Sequence, residues 1–357
     1  MRKNFLKPLM LVAVMLFLGA CATTEHLSQD PALQRKIEAN DVLRSLRIDP
    51  EREDRILVLD PERITAEDVR ETLSGLPAPR IMNIHGGVYP VHLAMESFSR
   101  FLSRMGYPRE ALRNPGDGSY SYSCYDSSDK LAGVLAWHYE QEGMRPMIIG
   151  HSQGGMQAVK ILYEMIGNFS EKVSVWNPVI DQSEERYTII DPLTAVERPV
   201  VGLKLSYVSA AGSGGLTRLL PNQWSMAGKL RKIPDSVDEF TGFSIGLDFW
   251  GGDLFGLSTS NLYRANGEAL VRNVKLPGSY NHVILPVTSH LAKSEEIRNW
   301  INSYTPVDEP SIDVEFESDS MNILWAADVW HSIKKHWALE LKRLITAKRR
   351  LQNAQIP

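Results

Sequence analysis

Ser152 stands in Gly150-His151-Ser152-Gln153-Gly154, directly after the apolar run Met147 to Ile149 and just before Met156 to Ile166, a stretch with helix-compatible spacing. That order is what a nucleophilic hydroxyl needs. A chain that reverses sharply between strand and helix holds the serine Oγ clear of the backbone, and flanking positions without side chains permit the reversal. The helix beneath it presents unpaired N–H groups and a positive dipole end to a developing anion. The bare pattern also fits a glycine-rich turn with an incidental serine. The strand before it and the helix after it favour the catalytic reading.

Around this turn the chain alternates strand and helix signals. Arg55 to Asp60 reads as a first strand, and Thr65 to Leu73 as a helix with Thr65 as N-cap and Asp68 at the capping-box position. Arg80 to Ile84 is a short apolar strand that runs into His85-Gly86-Gly87, and Leu93 to Met105 has helical spacing ended by Gly106. Tyr120 to Tyr125 reads as a strand and Asp129 to Glu142 as a helix. Further strands are expected at Lys172 to Trp176, Val200 to Ser209, Phe243 to Phe249 and Val271 to Leu276. Ser294 to Tyr304 is a helix with Ser294 as N-cap. Ala210 to Glu239 lacks strand alternation and reads as a cap or lid, whose Leu216, Leu219, Leu220, Trp224 and Met226 would cover a site and favour acyl chains. Met321 to Leu351 is a long basic helix carrying tryptophans. It reads as docked on the domain, although such a helix can also rest on an anionic membrane surface. The alternation argues for a mostly parallel sheet flanked by helices on both faces.

The Asn83-Ile84-His85-Gly86-Gly87 turn, the Gly150 to Gly155 elbow and a late histidine resemble an α/β-hydrolase of the lipase and esterase kind over roughly residues 80–304. The resemblance implies an α/β-hydrolase fold and the chain order serine, acid, histidine. A serine needs a base within hydrogen-bond reach and a carboxylate behind it. His282, reached from a strand through Pro277 to Asn281, is the preferred base, and His290, four residues before the N-cap Ser294, is the alternate. His151 reads as packing beside the nucleophile. For the acid, Asp253 in Gly251-Gly252-Asp253 resembles the lipase acid turn, and Asp248 lies closer to the strand. The residues alone leave both open, with Asp181 as an outsider. The oxyanion hole is expected from the N–H groups of Gly87 and Gln153. Each of these residues could instead be a structural histidine, a surface carboxylate or a strand-ending turn. No metalloprotease, Walker or dinucleotide motif follows a strand, so neither cofactor nor metal is expected.

Arg2, Lys3 and Lys7 followed by the apolar Pro8 to Leu18 read as a secretory signal, too short to span a bilayer comfortably. Leu18-Gly19-Ala20-Cys21 resembles the lipobox of bacterial lipoproteins, which implies lipidation at Cys21, and Ala22 after it implies the outer membrane. Acyl carbons, each worth about 0.8 kcal/mol when buried, would hold the domain at the membrane. Cys124 then has no partner, and no disulfide framework is available. A net charge of −4 with 43% hydrophobic and 23% charged residues describes an ordinary globular chain, and nothing points to nucleic acid. The expected divisions are a signal (1–20), a tether (21–54), a hydrolase domain (55–305, cap about 210–240) and a helical extension (306–357).

These readings together imply a membrane-anchored serine hydrolase acting on an ester or lipid-like substrate through an acyl-enzyme. The same machinery serves an amidase, thioesterase or acyltransferase. A non-catalytic envelope lipoprotein could keep the fold as a binding scaffold.

Overall fold

The computed structural model describes residues 35, 41–88, 91–213, 221–246, 248 and 262–354, with the side chains of 221–223 excepted. The expected signal, the lipidation site Cys21, most of the tether, Asp253 and residues 214–220 of the expected cap lie outside the described residues.

Five strands form the central sheet: β1 (Ile81–Ile84), β2 (Met147–His151), β3 (Leu205–Ala211), β4 (Val237–Ile245) and β5 (Leu270–Leu276). They lie side by side in chain order and every pairing is parallel, from Ile81 opposite Met147 at one end to Leu276 opposite Ile245 at the other. A parallel sheet needs cover on both faces. The helices that cover it include α1 (Pro50–Val58), α2 (Val91–Arg104), α3 (Ser128–Glu142), α4 (Gln153–Met165), α5 (Glu295–Ser303) and α6 (Ile323–Asn353). Strand residues alternate between two cores. Met147 and Ile149 join Phe98, Phe101 and Trp325 under α1, α2, α5 and α6, whereas Ile148 joins Leu131 and Val159 under α3 and α4. The chain is thus a layered α/β protein with its parallel sheet flanked by helices.

The long terminal helix is a part of the core. Trp325, Trp330 and Trp337 are fully buried. The Trp330 indole donates to Asn302 Oδ1 at 2.9 Å and that of Trp337 to the Pro77 carbonyl at 2.9 Å. Truncating one such tryptophan to alanine costs about 3–5 kcal/mol. Charge is also paired beneath it: Arg272 on β5 meets Asp328 at 2.9 Å, and Arg145 before β2 meets Glu340 at 2.9 Å. Docking on the domain is therefore the observed arrangement.

Several expected elements differ. Arg55 to Asp60 is not a strand but lies largely in α1. Its N-cap Asp49 accepts from Glu51 N–H, Pro50 opens the helix, and Glu51 and Glu53 complement its dipole, signals that outweigh the short run Ile56-Leu57-Val58. The tether boundary at 54 also moves, because Leu43, Leu46 and Ile48 are already in the core. Tyr120 to Tyr125 contributes a single bridge, Tyr122 with Ile84. Lys172 to Trp176 yields only a two-residue ribbon, Trp176–Asn177 with Gln182–Ser183. The cap is shorter than 210–240, since Ala210 and Ala211 close β3 and Val237 opens β4. Glu239 hid this strand. It is nearly buried in β4 because Lys335 on α6 meets it at 2.7 Å. The Thr65–Asp68 box is present, with each residue bonded to the other's main-chain N–H, although the helix that follows is a π turn, Asp68–Leu73.

Candidate active site

β2 ends at His151 and α4 begins at Gln153, so Ser152 alone makes the turn. Its φ of 55° and ψ of −123° are unusual for a residue with a side chain, a strain of about 1–3 kcal/mol that surrounding contacts must hold. They do. Ser152 N–H donates to the Ala211 carbonyl of β3 at 2.7 Å, and Gly155 N–H donates to the Ser152 carbonyl at 3.1 Å. The motif's glycines are dictated by close approach: a Cβ on Gly150 would lie 2.6 Å from the Gly154 oxygen, and one on Gly154 would run into the Ile84 carbonyl of β1.

His282 Nε2 lies 2.9 Å from Ser152 Oγ, and His282 Nδ1 lies 2.7 Å from Asp248 Oδ2. A carboxylate only accepts, so Nδ1 carries the proton and Nε2 is left with the lone pair that receives the serine hydroxyl's hydrogen bond. The His282 side chain is 10% exposed and that of Asp248 4%, which keeps water from competing for either bond. Gly212, just after β3, has φ +59°, and a Cβ there would stand 2.8 Å from His282 Nδ1. The glycine makes room for the pair. Ser152 follows β2, Asp248 follows β4 and His282 follows β5, so the residues converge at the carboxyl ends of the parallel strands.

The His85-Gly86-Gly87 turn after β1 faces the same serine. A Cβ on Gly86 would lie 2.9 Å from Ser152 Cβ. Tyr125 OH donates to the Gly87 carbonyl at 2.9 Å, and His85 Nδ1 donates to the Gly86 carbonyl at 2.8 Å. These bonds fix the turn. Gln153 is the first residue of α4, so its N–H has no acceptor within the helix. His151 is completely buried beside the pair. Its Nε2 donates to the His282 carbonyl at 2.8 Å, and burial drives its pKa down to about 3, with the neighbouring His282 acting in the same direction. It therefore stays neutral and adds no charge to compete with His282.

Of the expected residues, Ser152, His282 and Asp248 are brought together, with Gly87 and Gln153 adjacent. His290 is not in the group. Its Nε2 faces Asp319 at 3.7 Å, because the loop turns away after His282. Asp181 is elsewhere too, bonded to the Trp176 indole at 2.9 Å and paired with Lys130 at 2.8 Å, whose hydrogen bond holds its carboxyl below the ordinary range. Asp253, the other acid left open by the sequence, lies outside the described residues, and the carboxylate bonded to His282 is that of Asp248. Gly212 and Tyr125 were missed. Gly212 was hidden in the run Gly212 to Gly215, and Tyr125 carried no signal beyond following Cys124, which is itself buried with its thiol pushed up to about 12. Among the described residues no cluster of three or more histidine, cysteine or acidic side chains is arranged to hold a metal ion. No protein-family model matches the chain, and no curated protein matches its sequence significantly.

Proposed function

We propose that this protein is a serine hydrolase of the α/β-hydrolase fold that cleaves carboxylic esters. The observation that carries the reading is the continuous hydrogen-bonded line from Ser152 Oγ through His282 to the buried Asp248 carboxylate. His282 takes the hydroxyl proton as Oγ attacks the ester carbonyl, and Asp248 orients and stabilises the imidazolium that forms. The oxyanion of the tetrahedral intermediate is met by the N–H groups of Gln153 and Gly87, donors worth about 10²–10³ each in rate. His282 then gives its proton to the leaving alcohol. A water, activated by the same histidine, releases the acid from the acyl-enzyme. Thioesters and amides could enter by the same chemistry, and an acceptor alcohol in place of water would give acyl transfer.

Exposed Val88, next to Gly87, supports an apolar substrate, as does Trp224 in the segment after β3. Leu18-Gly19-Ala20-Cys21 supports a lipid anchor that would hold the enzyme against an outer membrane and its lipid-like esters. The test is covalent. A fluorophosphonate should label the wild-type protein on the peptide that carries Ser152, and Ser152→Ala should abolish both labelling and hydrolysis of short p-nitrophenyl esters while the fold persists. A folded wild-type protein that never reacts with the probe refutes the reading.

A further inference from the structure

The loop that carries His282, residues 277–291, has no helix or strand of its own. Bonds from other elements hold it, and the start of α6 grips it on both sides of the histidine, through the loop's own Tyr280 hydroxyl before it and through the loop's main chain after it. Leu324 N–H donates to Tyr280 OH at 3.1 Å, two residues before His282. Asn322 Nδ2 donates to the Ile284 carbonyl at 2.8 Å and the Val287 carbonyl at 3.2 Å, just after it. Asn322 is the N-cap of α6, yet its side chain makes no capping bond. An asparagine at that position ordinarily accepts from the helix's own first N–H groups. Here it is 1% exposed, sits at φ +65°, and spends both amide hydrogens on the loop. His151 braces the same loop from the elbow through the His282 carbonyl.

We propose that Asn322 and Tyr280 are positioning residues for the base, so that the first turn of α6 sets the distance between His282 and Ser152. The proposal rests on the serine-hydrolase reading. Neither residue bonds to Ser152, His282 or Asp248 side chains, so each acts through the main chain that presents His282.

The experiment uses the full chain in detergent with a short p-nitrophenyl ester. Asn322→Gly removes the amide but keeps the left-handed backbone, which glycine adopts freely. Since a misplacement of about 1 Å can cost 10²-fold, kcat should fall about ten- to a hundred-fold. KM should stay within about two-fold, because ground-state binding is untouched. Tyr280→Phe, which loses only the hydroxyl, should lower kcat about three-fold. In a His282→Ala background Asn322→Gly should remove nothing further from the residual rate, the signature of a residue that acts through the histidine. An equal loss in that background, or an unchanged kcat in both single variants, overturns the proposal. If Asn322→Gly shows no cooperative melt, Tyr280→Phe and its cycle with His282→Ala decide the matter. A wild-type protein with neither ester turnover nor fluorophosphonate labelling overturns the serine-hydrolase reading, and the proposal with it.

Discussion

Replacing Asp248 by asparagine isolates what a buried carboxylate gives the base. The side chain keeps its size and can still occupy the space beside Gly212, so the fold should persist. What goes is the charge that, in the proposed mechanism, faces the imidazolium formed as Ser152 attacks. Asp248 Oδ2 lies 2.7 Å from His282 Nδ1, and both side chains are at most one-tenth exposed. Unit charges with centres roughly 4 Å apart interact by about 4 kcal/mol at an effective dielectric near 20. Losing that from the transition state alone costs about 10³ in kcat. Asparagine can also turn its NH₂ toward Nδ1, which forces the proton onto Nε2 and leaves no lone pair for the serine. In a serine protease triad the corresponding change costs about 10⁴, so the expected fall is between about 10³ and 10⁴. KM should hardly move, since the carboxylate does not touch ground-state substrate. Steady-state hydrolysis of a p-nitrophenyl ester reads both constants, and a circular-dichroism melt checks the fold. A folded Asp248→Asn protein that retains more than about a tenth of wild-type kcat would refute the reasoning. So would loss of activity on Asp253→Asn instead.

His282→Ala should remove nearly all turnover, whereas His290→Ala, facing Asp319, should leave most of it; ester hydrolysis by the two purified variants decides between them. Burial holds His151 at about 3 and His331 at about 4, both below the ordinary 6.5. Between those values the unfolded chain binds more protons than the folded one, so stability is full above pH 6.5 and is lost as pH falls toward 4 and below. The two together contribute on the order of several kcal/mol. The urea midpoint should drop through that range and His331→Gln should flatten the drop; a midpoint independent of pH would contradict this. Cys21→Ser should turn a detergent-extracted protein into one that is soluble or held by an uncleaved signal, and mass spectrometry that finds no acyl mass on the wild-type N-terminus would rule the anchor out.

Local chemistry made the position of Ser152 at the end of β2 legible. Ser152 is announced by neighbours a few residues away, and the proposed N–H donors Gly87 and Gln153 are fixed by a glycine pair or by adjacency to it. The strands β1, β2 and β5 and the helices α2 to α5 were readable for a similar reason, as each carries its own apolar period or cap. The acid was less legible because its role depends on which carboxylate the end of β4 turns toward Gly212 and His282, a long-range fact absent from either Gly-Leu-Asp or Gly-Gly-Asp. β4 itself was blurred by Glu239, a charge whose burial makes sense beside Lys335 and His336 on a helix far along the chain. The same holds for α1. Its run Ile56-Leu57-Val58 looks like strand until Asp49 and Pro50 are weighed as a helix start. Asn322 was invisible as a functional residue, since nothing in its neighbourhood names the loop that it holds.

The contacts between α6 and residues 43–64 have a consequence for how the protein comes into being. Lys348 meets Glu53 at 2.6 Å, Arg349 meets it at 3.0 Å, and Lys334 bonds the Ile64 carbonyl at 2.6 Å. A chain delivered from its N-terminus must hold the apolar sides of α1, α2 and β1 to β5 open until residues 323–353 arrive. Closing loops of that length is slow, and the waiting face is prone to aggregate. The delay also has a protective side. Until α6 docks, the loop of His282 lacks its grip, so a half-made or clipped chain carries a serine but no seated base. On the proposed reading, activity would then begin only with the last helix in place, and a chain that ends ahead of residue 322 would never acquire it.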